Sequence, residues 1–112
     1  TVIRHPIAMS ALQEIAKDQF EDLVKAVVDV RQEIMAIGGE LHSDEEVVLS
    51  ESGSRREDVW GINIYVNKPE NEWVEFDSMI NIKPQLNNRS RSVENKAIQE
   101  KIWAVVKKLV IK

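Results

Sequence analysis

The sequence predicts an α+β fold in which a mostly antiparallel sheet of four to five strands packs against three helices. Three observations predict it. Two pairs of apolar segments are each joined by a short polar turn, three segments carry apolar residues at helical spacing, and the length of 112 residues is typical of one domain. The predicted order is β-α-β-β-α-β-β-α, in a single domain over residues 1–112, with the helices on one face of the sheet.

A short strand and a helix are predicted first. Residues 1–5 are partly β-branched and precede Pro6, which favours a short strand at the sheet edge as the fifth strand. Ser10 and Gln13 have the spacing of a capping box, in which each side chain bonds the other residue's backbone amide. The apolar residues that follow have helical spacing, so a helix is predicted over 11–20.

The next two apolar segments predict a hairpin. Residues 24–30 are rich in valine, and residues 34–37 are apolar after a gap of three polar residues. Both faces of these strands carry apolar side chains, so we expect them inside the sheet. The alternative is one helix across 22–37, which the valines disfavour and which Gly38-Gly39 would end.

A second helix is predicted over 44–51, where Ser43 and Glu46 form another capping-box spacing and Gly53 suits a helix end. Clear alternation of apolar residues then predicts a second hairpin, with strands at 59–66 and 73–82.

Matching the apolar faces of the second hairpin sets its register and places Ile64 near Phe76. After a polar loop at 83–94, an amphipathic stripe predicts the last helix over about 94–110.

Composition excludes several classes of function. The chain has no cysteine, which removes disulfide scaffolds, thiolate zinc sites and thiol nucleophiles, and it favours a cytoplasmic protein. Its net charge of −4 argues against general nucleic-acid binding, and its longest apolar runs are too short to cross a membrane. We predict no cofactor.

The first candidate site follows the glycine pair at 38–39. If the chain is extended there, Glu40, His42 and Asp44 project to one side, because alternate residues of an extended segment share a face. Such a group could orient His42 as a base or hold a divalent metal. The ligand set is incomplete, so no metal site is predicted. The alternative is a glycine turn with exposed polar residues.

The second candidate site is the loop at 87–92. Arg89 and Arg91 carry planar guanidinium groups suited to carboxylate or phosphate, and Ser90 adds a donor near the start of the last helix. The alternative is a solvated loop in which Ser92 caps the helix and the arginines pair with nearby acids.

The third candidate site is the polar face of the second hairpin. It includes Asn63 and Asn81, and asparagine is depleted in strands. We expect both amides to hydrogen-bond a neighbouring loop or a ligand, although a polar sheet face is ordinarily exposed to water.

Five stretches of the sequence resemble a known family. They are Lys25–Val30, Ile37–His42, Gly53–Tyr65, Phe76–Ile82 and Asn88–Arg91. Together they are similar to short, stand-alone prokaryotic proteins known only as a domain of unknown function. The resemblance covers nearly the whole chain and implies a cytoplasmic single-domain protein. It implies no activity, cofactor or site residue.

Two hypotheses of function follow from the candidate sites. The leading one is a ligand-binding or interaction domain that holds a small anion, or a partner's acidic segment, where the loops 38–44 and 87–92 meet. The alternative is a small hydrolase or phosphoryl-transfer enzyme with His42 as general base, oriented by Glu40 or Asp44, and with Arg89 on the developing anion.

A third option is an interaction protein that forms a homodimer through a sheet edge or through the face that carries Trp73.

Overall fold

The computed structural model describes all 112 residues, and it confirms the predicted α+β fold with three helices and a five-stranded antiparallel sheet. The order of strands in the sheet is β1-β4-β3-β5-β6, and β2 and β7 form a separate parallel pair that was not predicted. The elements are β1 (Val2–Ile3), β2 (Ile7–Ala8), α1 (Met9–Asp18), β3 (Leu23–Asp29), β4 (Ile34–Ile37), α2 (His42–Glu51), β5 (Val59–Tyr65), β6 (Val74–Glu75), α3 (Lys96–Leu109) and β7 (Val110–Ile111). No helix has the length and apolar character needed to span a membrane.

The first hairpin is confirmed, and β3 and β4 are inner strands as expected. The alternative of a single helix over 22–37 is therefore wrong. The carboxylate of Asp29, which is fully buried, accepts hydrogen bonds from the amides of Arg31 and Gln32 and from the hydroxyl of Ser54 at 2.6 Å. This carboxylate fixes the turn between the two strands.

Helices cover both faces of the sheet, so the prediction that all three lie on one face is wrong. Because side chains alternate along a strand, β3 and β4 carry apolar residues on both sides and need two covers. Helices α1 and α3 pack on one face in a cluster of 19 buried residues, whereas α2 packs on the other through Leu49 in a cluster of six.

The second hairpin is shorter than predicted. Strand β5 matches its prediction, but β6 contains only Val74–Glu75, and Ile64 pairs with Val74 instead of lying opposite Phe76. Beyond β6 the chain turns away, and the Ser78 side chain caps a 3-10 turn at Met79–Asn81. Trp73 is 3% exposed and belongs to the core, so no exposed face carries it.

An asparagine side chain continues the hydrogen bonding of the sheet where β6 ends. The Oδ1 atom of Asn81 accepts from the amide of Gly61 at 2.8 Å, and its Nδ2 atom donates to the carbonyl of Gly61 at 2.9 Å. Only glycine fits at position 61, because a Cβ there would lie 2.5 Å from the Cβ and Oγ of Ser78. The expectation that Asn81 would bond a neighbouring segment is confirmed, although Asn81 does not lie in a strand.

Neither predicted capping box forms. Helix α1 begins at Met9, directly after β2, and Gln13 donates to the carbonyl of Val66 at 3.0 Å instead of reaching back to Ser10. Helix α2 begins at His42, with Leu41 at the N-cap and no side chain capping it, so Ser43 already lies inside the helix.

Of the two other predictions on helix ends, one is wrong and one is confirmed. The N-cap of α3 is Asn95, whose side chain accepts from the amide of Ile98, and the expectation that Ser92 caps this helix is wrong. Gly53 has a φ of +88° just after α2, as a glycine that ends a helix should.

Candidate functional site

The strongest candidate site lies where β4 ends and α2 begins, and we call it the α2 site. Its residues are Gln19, Lys25, Gly38, Gly39, His42, Glu45 and Asn63. Gly38 has a φ of +92°, in the region that only glycine adopts easily, so the chain can turn sharply there. Gly39 leaves room for Glu45, because a Cβ at position 39 would lie 2.8 Å from the Cγ of Glu45. The glycine pair therefore brings the first turn of α2 against the sheet.

Glu45 is a buried carboxyl group with one free oxygen. Its side chain is 2% exposed, Oε2 accepts from the amide of Gly39 at 3.1 Å, and Oε1 has no hydrogen-bond partner. Burial raises the pKa of the Glu45 carboxyl to about 8, against the opposing effects of the Gly39 amide and of Lys25. At neutral pH Glu45 is therefore mainly protonated, and its Oε1 forms no hydrogen bond with the protein.

His42 is held against the sheet by one hydrogen bond. Its Nε2 atom lies 2.7 Å from the carbonyl oxygen of Ile62, and since a carbonyl only accepts, Nε2 carries the proton and Nδ1 is left as the basic nitrogen. Burial lowers the pKa of His42, and Lys25 and Arg91 lower it further, while the bond to Ile62 and the charge of Asp77 oppose them. The imidazole is neutral at pH 7.

The residues expected to orient His42 do not bond to it. Glu40 and Asp44 are exposed, and the backbone carbonyl of Ile62 takes the role that they were expected to fill. No three side chains of histidine, aspartate or glutamate lie in an arrangement that could hold a metal ion.

Two further buried oxygens without a donor lie at the same end of the sheet. One is Oε1 of Gln19, whose Nε2 donates to the carbonyl of Gly38 at 2.8 Å. The other is Oδ1 of Asn63, whose Nδ2 donates to Glu75 at 2.8 Å. Asn63 pairs in register with Lys25, which forms no ion pair with any acidic residue.

An open cleft of about 200 Å³ lies beside Glu45 and the glycine pair, whereas Gln19, His42 and Asn63 do not line it. Glu45 and Asp44 line it from α2, and Gly38 and Gly39 line it from the turn. The predicted glycine segment therefore does border a concave surface, with Glu45 as its most perturbed group.

The donors of the 87–92 loop are already occupied. The amides of Arg89 and Ser90 and the hydroxyl of Ser90 all bond to one oxygen of Glu94, at 3.0, 2.9 and 2.7 Å. The hydroxyl and amide of Ser90, with the amide of Arg89, lower the pKa of Glu94. The loop has the geometry of an anion site, and the anion in it is a carboxylate of the same chain.

Arg91 is the arginine of this loop whose charge lowers the pKa of His42. Its backbone carbonyl accepts from the side chain of Asn81 and from the amide of Ser78, both at 3.0 Å. Its guanidinium group bonds Asp77 at 2.7 Å, and both charges act on His42. The charge of Arg91 therefore acts on His42 without a direct contact, whereas Arg89 and Ser90 turn towards Glu94.

The matched family model, described as a protein of unknown function (DUF5674), covers residues 1–109. The chain belongs to this family. The predicted resemblance to a domain of unknown function is thereby confirmed. Neither the curated proteins nor the solved structures contain a match to this DUF5674 protein.

Two functional candidates of this DUF5674 protein were missed from the sequence. Glu45 lies three residues after His42, a spacing that puts both on one face of a helix, and this signal could have found it. Lys83 opened the predicted polar loop, yet it is 3% exposed. Lys83 lies against Trp60, which is distant in the sequence, and no local sequence pattern predicts this contact.

Proposed function

We propose that this DUF5674 protein is a binding domain that holds a small polar molecule at the α2 site. One observation carries the proposal: all three buried side-chain atoms that lack a hydrogen-bond partner are oxygens at this end of the sheet, in Gln19, Glu45 and Asn63. Each unpaired buried polar group costs about 1–3 kcal/mol. Three such costs at one end of the sheet have a natural explanation if bound polar groups supply the missing partners, beginning with Glu45, which lines the cleft.

The chemistry of the site favours a ligand with both hydrogen-bond donors and an acidic group. The free amide oxygens of Gln19 and Asn63 suit N–H or O–H groups, and the protonated Glu45 can donate its O–H to an acceptor. Lys25 forms no ion pair, although its Nζ lies 5.1 Å from the ring centroid of Phe20, and the first turn of α2 has no capping side chain, so both suit a carboxylate. An amino acid combines these groups. The cleft of about 200 Å³ suits a molecule smaller than a typical drug, whose pockets span roughly 300–1,000 Å³.

Amide chemical shifts of the ¹⁵N-labelled protein test the proposal. We expect glycine, L-glutamine or L-aspartate to shift the amides of Gly38, Gly39 and Glu45, and Glu45→Gln to weaken this response at least tenfold. Glu51→Gln, at the exposed end of the same helix, is the matched control and should bind normally. Unshifted amides at all three positions with every amino acid would refute the proposal.

Inorganic phosphate tests the simpler hypothesis of an anion held between the loops 38–44 and 87–92. Because Glu94 occupies the donors at Arg89 and Ser90, we expect phosphate to shift these amides only in a Glu94→Gln variant.

A second candidate function, a small hydrolase or phosphoryl-transfer enzyme, has its own support. His42 is kept neutral and Glu45 is kept protonated, and groups whose pKa values are shifted apart can act as base and acid. Lys25 and Arg91, not Arg89, are the cations whose charges act on His42.

Hydrolysis of 4-nitrophenyl acetate and 4-nitrophenyl phosphate checks this second candidate. Activity that falls in both His42→Gln and Glu45→Gln, and declines above pH 8, would favour the enzyme. Rates equal to those of the variant that carries both substitutions would exclude an enzyme acting on these substrates.

In either case we place the protein in the cytoplasm, the usual location of small domains that fold without disulfide bonds.

A further inference from the structure

Lys83 is buried without an acidic partner. It is the only buried lysine of the chain, at 3% exposed, and it forms no ion pair. Its Nζ atom donates to the backbone carbonyl oxygen of Arg56 at 2.6 Å and to that of Val59, and it lies 4.0 Å from the ring centroid of Trp60. Two N–H groups of the Lys83 ammonium are therefore hydrogen-bonded, and the third has no hydrogen-bond acceptor.

A buried ammonium group is costly unless a counter-ion accompanies it. Burial lowers the pKa of Lys83 to about 8; the charge of Glu46 opposes this shift, and that of Arg56 adds to it. A free amine is a nucleophile, and lysines desolvated in this way act as nucleophiles in enzymes. An asparagine or glutamine would bond the same carbonyls without the cost of burying a charge.

Lys83 lines an open cleft of about 210 Å³. The other lining residues are Arg56, Glu57, Gln85 and Leu86. The guanidinium group of Arg56 is 64% exposed and pairs loosely with Glu46 at 3.3 Å, so it can turn towards an acidic group in the cleft. Lys83 and Arg56 therefore line one cavity of small-molecule size, and none of its lining residues belongs to the α2 site.

We propose that Lys83 forms an imine with a small carbonyl compound whose acidic group is held by Arg56. The nitrogen adds to the carbonyl carbon, the carbonyl oxygen leaves as water, and a C=N bond replaces the C=O bond. With one proton taken from solvent, the product is an iminium ion, which keeps a single N–H group for one of the two backbone carbonyls. Water reverses the step, and no oxidant or reductant is needed.

Reductive trapping with two aldehydes tests the proposal. The full chain is incubated at pH 7 with glyoxylate or formaldehyde and sodium cyanoborohydride, and peptide mass mapping follows each lysine over time. At pH 7 the free-amine fraction of a group with a pKa near 8 exceeds that of an ordinary lysine by roughly 200-fold. We expect glyoxylate to modify Lys83 at least tenfold faster than Lys96, which is exposed.

Arg56→Gln supplies the second variant, because removing Lys83 leaves two carbonyls unpaired and can unfold the chain. It keeps the backbone carbonyl that Lys83 bonds. We expect this variant to slow the modification of Lys83 by glyoxylate about tenfold. The rate of modification by formaldehyde, which has no acidic group, should be unchanged. Modification of Lys83 more slowly than Lys96 by both aldehydes would overturn the imine. Equal glyoxylate rates with and without Arg56 would overturn the acidic substrate class.

Discussion

The two faces of the sheet are covered by different chemistry. The cluster under α1 and α3 holds 19 buried apolar residues, and the buried Lys83 lies against its member Trp60. The face under α2 holds only six buried apolar residues, which are accompanied by buried polar side chains. The polar ones are Asp29, His42, Glu45, Asn63, Ser78 and Asn81.

This difference indicates that the apolar face mainly stabilises the fold, whereas the α2 face is the candidate for a function. Apolar burial stabilises in proportion to the area removed from water and tolerates changes in detail. A buried polar group is neutral to stability only when each of its hydrogen bonds is made. The α2 face leaves two buried oxygens unpaired, in Glu45 and Asn63, so it is the face where a ligand would matter.

A pair of matched cavity variants gives the largest expected effect. Leu109→Ala and Leu49→Ala remove the same atoms from fully buried positions on the two faces. We expect losses of about 4 kcal/mol and about 2.5 kcal/mol in unfolding free energy, because the larger cluster relaxes less around a cavity. Chemical denaturation measures both, and a greater loss at Leu49 would contradict the assignment of the main core.

The next largest effect tests the hydrogen bonds on the α2 face. Asn81→Ala leaves the amide and carbonyl of Gly61 without partners and frees the carbonyl of Arg91 from one donor. We expect a loss of about 3 kcal/mol, since buried unpaired groups cost about 1–3 kcal/mol each and some can recruit water. Asn71→Ala, at an exposed position, should change stability by less than about 0.5 kcal/mol. Similar losses in the two variants would show that Asn81 does not complete the sheet.

Asn81 also shows what the sequence could and could not predict. The first hairpin was predictable because its valines favour a strand over a helix, and because apolar side chains on both faces favour an inner strand. The alternation after Trp73 predicted a strand to Ile82, yet the chain leaves the sheet after Glu75. An extended connection and a 3-10 turn can carry the same alternation, and only the distant Gly61 reveals that Asn81 is needed there.

The candidate site was predictable to the same degree. The glycine pair and His42 were found because they are adjacent in sequence. The bond of His42 to Ile62 and the capture of Ser90 by Glu94 depend on how separate segments meet, which no local pattern encodes.

The pH dependence of stability tests the α2 face through Glu45. Its pKa in the folded state is about 8, above its ordinary value of 4.5. The stability that the neutral carboxyl contributes is therefore complete below pH 4.5 and is lost as the pH rises through 8. Between pH 6.5 and 8 we expect the protein to lose on the order of 2 kcal/mol relative to Glu45→Gln, which has no ionisable group.

Between pH 6.5 and 8, the shifted pKa values of His42 and Lys83 contribute little to the change in stability. The lowered pKa of His42 affects stability below pH 6.5, and that of Lys83 affects it mainly above pH 8. Denaturant midpoints at pH 6.5, 7.25 and 8 make the comparison. Parallel curves for the protein and Glu45→Gln would show that Glu45 is ionised and solvated.

The smallest effect compares the beginnings of two helices on opposite faces. Helix α3 is capped by Asn95, whereas α2 begins after Leu41, which caps nothing and is 54% exposed. Leu41 has a φ of −127° and a ψ of 139°, an extended conformation that a capping serine can adopt. Leu41→Ser should therefore raise the unfolding free energy by about 1 kcal/mol, and Asn95→Ala should lower it by a similar amount.

The same substitution links stability to the proposed function. A serine at position 41 would bond an amide of the first turn of α2, which the acidic group of a ligand is proposed to use. We therefore expect Leu41→Ser to stabilise the protein and to weaken amino-acid binding in the amide-shift titration, while Asn95→Ala leaves binding unchanged. A more stable variant that binds as well as before would mean that the ligand does not use these amides, and Lys25 would then be the group to test for the acidic contact.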